Sequence, residues 1–150
     1  MAVCSDDTLI NLVDLEKGNL VRNFIGHSSY VHSCKLNNVS NILVSASADN
    51  KVFIWDIRTN KAIFEILAHP EPLTSIDISS DNSLVATSSY DGFVRIWDLV
   101  KGNCLRTFIA DSGSNQGVSD CRFTPNGKNI LMASMDDTVG LYDLNDKLVK

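Results

Sequence analysis

Short apolar stretches with a period near two recur along the whole chain, and clusters of Gly, Asn, Asp and Ser interrupt them. Residues alternate between the two faces of a strand, so this period predicts β-strands; no stretch carries the 3.6-residue spacing of a long amphipathic helix. The strands predicted are Ala2 to Cys4, Leu9 to Leu15, Leu20 to Ile25, Val31 to Leu36, Ile42 to Ser47, Val52 to Ile57, Ala62 to Leu67, Leu73 to Ile78, Leu84 to Ser89, Val94 to Leu99, Cys104 to Ile109, Val118 to Phe123, Ile130 to Ser134 and Val139 to Leu144, with "KLVK" closing the series. The connections are only a few residues long, too short for the crossovers that parallel neighbours need, so the strands form antiparallel meanders.

The pattern repeats. "SASADNKVFIWD" at 45 to 56 superimposes on "TSSYDGFVRIWD" at 87 to 98 with an offset of 42 residues, which also carries His27 onto His69. The same offset backward finds "VCSDDTLINLVD" at 3 to 14, and an offset of 45 forward finds "MASMDDTVGLYD" at 132 to 143. Four approximate units follow, 1–25, 26–67, 68–109 and 110–150, the first without an opening strand. A four-stranded sheet cannot bury both faces alone, and stacking such sheets radially gives a β-propeller. The predicted fold is therefore all-β, with about four propeller blades in this chain. Rings of this kind have about 4 to 8 blades, which leaves three arrangements open: part of a larger ring, paired half-rings, or a small closed ring.

Composition narrows the function. With 44% hydrophobic residues and a net charge of −5, the chain is a soluble-type globule, and its mild acidity disfavours nucleic acid as a partner. No apolar run approaches the roughly 20 residues of a spanning helix and the start lacks a signal-peptide pattern, so no membrane partner is expected. Cys4, Cys34, Cys104 and Cys121 form no CxxC pair, so neither a metal nor a disulfide framework is signalled; Cys34 and Cys121 read as reduced, buried thiols. No cofactor is implied.

Asp91 and His69 invite reading as an acid–base pair. The identical constellation at 49 and 27, with no flanking nucleophile or ligand cluster at either place, argues for architecture. With "IWD" at 54 to 56 and 96 to 98, "GH" at 26 to 27 and "AH" at 68 to 69, the chain resembles the WD-repeat (WD40) β-propeller family along essentially its whole length. In that family a His, a strand Ser or Thr, a turn Asp and the Trp form a buried hydrogen-bonded set. The resemblance places one set on His27, Ser45, Asp49 and Trp55 and another on His69, Thr87, Asp91 and Trp97. The chemistry is self-consistent, since a carboxylate accepts from imidazole and a hydroxyl bridges imidazole to indole. The outer units decay: Met132, Tyr142 and Asp111 stand at the hydroxyl, tryptophan and histidine positions of the fourth, where Asp136 persists, and Val3 and Val13 replace the hydroxyl and tryptophan residues of the first, where Asp7 persists.

The middle of the chain, from "GHSSYVHSCKLN" to "VSDCRFTPNGKNIL", is also similar to the WD-repeat subunits of histone H3 lysine-4 methyltransferase (COMPASS/MLL-type) complexes. That resemblance implies a nuclear, non-catalytic scaffold, with the cytoplasm as a second location, that engages SET-domain methyltransferase subunits and binds arginine-containing peptides at the central opening. The peptide-facing positions it implies are Tyr30, His32, Thr74, Tyr90 and Ser119, with His32 standing for an aromatic ring and Ala48 replacing another. "WDIR" at 55 to 58 resembles the WDxR element of substrate receptors of cullin-type ubiquitin ligases, with Arg58 as the adaptor contact. A propeller hydrolase is the remaining alternative. Self-association through open propeller ends is a further expected contact.

Overall fold

The computed structural model describes residues 1–109 and 116–144, together with the backbone of Lys147 and Leu148. Asp111 lies outside the described residues. Among the described residues, fifteen strands make four antiparallel sheets, each in chain order. Sheet 1 holds β1 (Ala2–Cys4), β2 (Ile10–Asp14) and β3 (Asn19–Phe24). Sheet 2 holds β4 (Val31–Leu36), β5 (Ile42–Ser47), β6 (Lys51–Asp56) and β7 (Lys61–Leu67). Sheet 3 holds β8 (Leu73–Ile78), β9 (Leu84–Ser89), β10 (Phe93–Asp98) and β11 (Cys104–Ile109). Sheet 4 holds β12 (Val118–Phe123), β13 (Asn129–Ser134), β14 (Val139–Asp143) and β15 (Lys147–Leu148). Each sheet has the form of a propeller blade, the first of three strands.

The strands fall where the alternation places them, with one systematic difference. β3, β6 and β10 begin and end one residue earlier than the apolar pattern suggests, at Asn19 and Phe24, at Lys51 and Asp56, and at Phe93 and Asp98. At β6 and β10 the cause is local hydrogen bonding. Asp49 and Asp91 accept from the amides of Lys51 and Phe93, starting the strand directly after the turn. At the other end, Asp56 Oδ1 accepts from the Arg58 amide, and Asp98 Oδ1 from the Val100 and Lys101 amides, pulling the chain into the next turn. Asp98 thus caps a turn, which holds its carboxyl below the usual range.

The blades stack in sequence. The innermost strands β4, β8 and β12 pack side by side, and β1 packs on β4. Three cores lie between successive sheets. Between sheets 1 and 2, Ile10, Phe24, Val31, Leu43, Phe53 and Trp55 are buried; between sheets 2 and 3, Val44, Ile54, Leu73, Ile76 and Trp97 are among those enclosed; between sheets 3 and 4, Ala86, Ile96, Phe108, Cys121, Ile130, Met132 and Tyr142. Phe53 stacks on Trp55 with ring centroids 4.9 Å apart, and Phe108 meets Tyr142 at 5.9 Å. β5 and β9, covered on both sides, are buried at nearly every position, whereas β13 alternates: Ile130, Met132 and Ser134 are buried while Leu131 is exposed.

Polar latches tie neighbouring inner strands. Ser75 Oγ donates to Asp120 Oδ1 at 2.5 Å, Lys35 Nζ pairs with Asp77 Oδ1 at 3.1 Å, and the Phe123 amide donates to Asp77 Oδ2 at 2.9 Å. Outside the cores, Arg22 Nη1 clamps the carbonyls of Ile57 and Arg58 at 2.8 and 2.7 Å, joining sheet 1 to sheet 2.

Candidate interaction site at the loop rim of the inner strands

The hydrogen-bonded sets define how the rim is held. In sheet 2, Trp55 Nε1 donates to Ser45 Oγ at 2.9 Å, Ser45 lies 2.8 Å from His27 Nε2, and His27 Nδ1 lies 2.8 Å from Asp49 Oδ2. Sheet 3 repeats the chain through Trp97, Thr87, His69 and Asp91 at 2.9, 2.8 and 2.8 Å. One proton arrangement satisfies every atom: the hydroxyl accepts from indole and donates to Nε2, and Nδ1–H donates to the carboxylate. The imidazole is then neutral. Burial pushes His27 and His69 below the usual histidine value, against the opposing pull of their aspartates. Burial also acts to raise Asp49 and Asp91, but bonds from the Ser28 amide and His27 at Asp49, and from His69 and the Phe93 amide at Asp91, leave both carboxyls below their usual range. Both imidazoles and both carboxylates are buried and bonded to each other, so neither pair presents an acid or base to a cleft.

Each set anchors the turn that follows it. Asn50 and Gly92 take left-handed φ values of 67° and 82° directly after the two aspartates, and Thr8 and Asp137 do the same at 72° and 65° in sheets 1 and 4. A positive φ suits Gly, Asn or Asp but crowds a β-branched Thr. The outer sheets hold without the set: Met132 and Tyr142 are buried in the core, and Asp7 accepts only a local bond, from the Leu9 amide at 3.0 Å.

Three β-bulges shape the inner rim. The register of β4 on β5 shifts between Val31 and Ser33, that of β8 on β9 between Leu73 and Ser75, and that of β12 on β13 between Val118 and Asp120. The extra residues are His32, Thr74 and Ser119. A bulge re-aims a side chain out of the ladder, and here it does so at the same place in three blades. His32 is exposed. Ser119 is exposed and donates to the Ala133 carbonyl at 3.0 Å. Thr74 is tied instead to the next blade, donating to the Val118 carbonyl at 2.6 Å beside Ser88 Oγ at 2.8 Å.

Tyr30 and Tyr90 flank the bulges, 57% and 46% exposed, each fixed through its backbone: the Tyr30 carbonyl accepts from the Ala48 amide and the Tyr90 amide donates to the Pro72 carbonyl. Two further residues join this rim that the sequence did not single out. Gly117 sits so close that a Cβ there would lie 3.0 Å from Tyr90 Cα, 3.1 Å from Tyr90 Cδ1 and 3.2 Å from Met135 Sδ. Tyr90, the Gly117 backbone and the 42% exposed Met135 thus form one apolar surface across sheets 3 and 4. Met135 stands at the repeat position of Tyr90, so an offset comparison would have found it. Arg58 lies elsewhere: it is exposed in the β6–β7 turn, at the opposite end of the sheets, with its amide bonded to Asp56. Among the described residues, no three His, Cys, Asp or Glu side chains gather as a metal site.

Antiparallel four-stranded blades with stacked inner strands and paired His–Asp, Trp–hydroxyl bonds are the architecture of WD40-repeat proteins. The pattern of the "WD domain, G-beta repeat" family matches residues 18–56, 60–98 and 102–143, and the chain belongs to that family. Each match starts just before the outer strand of one sheet and ends on the third strand of the next. Among curated proteins, the chain is 33% identical over 149 residues to COMPASS component SWD3 of Saccharomyces cerevisiae, covering 95% of this chain and 47% of SWD3. It is 33% identical over 58 residues to eukaryotic translation initiation factor 3 subunit I of Schizosaccharomyces pombe, covering 39% of this chain and 18% of that protein. Restriction of telomere capping protein 1 of Saccharomyces cerevisiae is 36% identical over 67 residues, covering 41% of this chain and 5% of that protein. The chain spans less than half the length of each of these relatives.

Proposed function

We propose that this chain is a non-catalytic WD40 scaffold of a COMPASS-type histone H3 lysine-4 methyltransferase complex, acting in the nucleus. The observation that carries the reading is the similarity to SWD3 along 95% of the chain, whereas the other two relatives match only one stretch each. The buried sets support a holding role: they fix turns and leave no free acid or base. In this reading the rim of Tyr30, His32, Tyr90, Ser119 and Met135 meets a peptide segment of a partner, with arginine-containing peptides as the ligand class and a SET-domain subunit as the catalytic companion. His32 would offer an imidazole face on which a guanidinium stacks.

Affinity capture from nuclear extract tests the proposal. A SET-domain methyltransferase should be recovered with the wild-type chain and lost with Tyr30→Ala combined with Tyr90→Ala, while the melting temperature stays unchanged. Recovery of ubiquitin-ligase components alone would overturn it and favour the adaptor reading, which draws on the exposed Arg58 and predicts that Arg58→Ala abolishes that recovery. The outward face of sheet 4, where Leu131 pairs with Leu141 and Ala133 with Val139, is the surface on which self-association would act. Those four positions correspond to Ala86, Ile96, Ser88 and Val94, which sheet 3 turns toward sheet 4.

A further inference from the structure

We propose that Cys4 and Cys34 form a redox-modification site, a thiol pair across the joint between sheets 1 and 2 that reduces hydroperoxides and closes into an interblade disulfide. The repeat itself supplies the geometry. Cys4 occupies the position of Ala46, Ser88 and Ala133 in the other blades, and Cys34 that of Ile76 and Cys121. Between sheets 2 and 3, Ala46 and Ile76 share one core; between sheets 3 and 4, Ser88 hydrogen-bonds to Cys121. At the first joint the same two positions are both cysteine, both partly exposed, and both packed on one core. The backbones of β1 and β4 come within 8 Å, and the Val31 amide donates to the Ser5 carbonyl at 3.2 Å, one residue beyond Cys4.

Chemistry separates this pair from the other thiols. Interaction between the two thiols lowers Cys4 against burial and the nearby Asp6 carboxylate, and together with burial it pushes Cys34 far above the usual thiol range. That lowering favours the Cys4 thiolate, the nucleophilic form. It is also reachable, because its side chain is partly exposed. Cys121 is sealed in the core, where burial pushes its thiol up to about 12, and Cys104 is exposed.

The steps balance. The Cys4 thiolate attacks one peroxide oxygen, the O–O bond breaks, and the departing hydroxide takes a proton to become water. Cys4 is left as the sulfenic acid. Cys34 then attacks that sulfur, the S–O bond breaks, and the hydroxyl leaves as water with the Cys34 proton. Two thiols have given two electrons, the disulfide is the product, and a thiol such as glutathione restores the pair by exchange. Such reversible pairs are the form disulfides take in reducing compartments. The bridge joins residues 4 and 34 and so fastens the three-stranded blade to its neighbour.

The test treats the reduced chain with stoichiometric hydrogen peroxide at pH 7 and counts thiols after denaturation. The expected outcome is a fall from four thiols to two, a loss of two hydrogens in intact mass, and a Cys4–Cys34 linked peptide in a non-reducing digest. In isotope-coded alkylation of the wild-type chain, Cys4 should react roughly tenfold faster than Cys104, a larger thiolate fraction tempered by lower intrinsic nucleophilicity. Cys34→Ser should stop at a sulfenic acid on Cys4 that dimedone captures, and Cys4→Ser should keep its thiols. Four thiols persisting after peroxide, a linkage involving Cys104 or Cys121, or equal alkylation of Cys4 and Cys104 would overturn the proposal; the alkylation comparison needs no variant to fold.

Discussion

Replacing Thr87 by Val exchanges a hydroxyl for a methyl at a fully buried position and leaves the shape of the site unchanged. Two partners lose their bond at once: the Trp97 indole N–H, which donates to Thr87 Oγ1 at 2.9 Å, and His69 Nε2 at 2.8 Å. His69 is 2% and Trp97 7% exposed, so water cannot replace the hydroxyl without opening the core. Each stranded buried group costs about 1–3 kcal/mol, so with two of them Thr87→Val should destabilise the chain by about 2–6 kcal/mol. Adding Trp97→Phe removes one stranded donor, so that second change should cost less in the Thr87→Val background than in the wild type, with a coupling of about 0.5–3 kcal/mol. Guanidinium unfolding followed by far-UV circular dichroism measures both. A Thr87→Val loss within about 0.5 kcal/mol, the range of ordinary surface substitutions, or strict additivity with Trp97→Phe, would refute the account of the set as a mutually dependent chain.

Acid should unfold the chain in two stages. His27 and His69 are held below 6.5 by burial while the unfolded histidines take up protons near that value, so stability is complete above about pH 6.5 and falls as pH drops below it. Asp49 and Asp91, held below 3.8, add a second loss below about pH 4; a guanidinium midpoint higher at pH 5.5 than at pH 7.5 would contradict the sign. Thr8→Gly should raise stability by about 1 kcal/mol by relieving a β-branched residue at φ 72°, and Gly92→Thr should lower the melting temperature at the equivalent turn. Gly26→Ala places a Cβ 2.7 Å from the tip of the Trp55 ring and should cost about 1–3 kcal/mol by overpacking, although Ala68 fills the same position in sheet 3; an unchanged melting curve would mean that Trp55 can shift.

The strands and their antiparallel order were legible because alternation and short loops are local properties of the chain, and the 42-residue offset aligned the His, Asp and Trp positions before any coordinates. What lies between blades was not. His32, Thr74 and Ser119 looked alike as rim positions, yet the hydroxyl of Thr74 is engaged by Val118 and Ser88 while His32 stands exposed. Gly117 carried no signal, because its role is the space it leaves for Tyr90 and Met135. Cys4 and Cys34 lie in different units of the sequence, and the stacking of β1 on β4 makes them neighbours. Latches such as Ser75 with Asp120 escaped for the same reason, since the two side chains belong to successive units.

The unequal covering of the sheets sets an order of opening. Sheets 2 and 3 are sandwiched on both faces, while sheets 1 and 4 each rest on one core within the chain. In a stacked array stability is a sum over nearest-neighbour joints, so, counting the joints within this chain, a sheet resting on one core detaches by breaking one and a sandwiched sheet by breaking two. Amide protons of β2 and β13 should therefore exchange through partial openings that leave β5 and β9 protected, and those two strands should exchange only as the whole stack unravels. The rim surface formed by Tyr90, Gly117 and Met135 spans one such joint. A partner seated there would slow the exchange of sheet 4 without touching its strands, and so read out its own binding as rigidity.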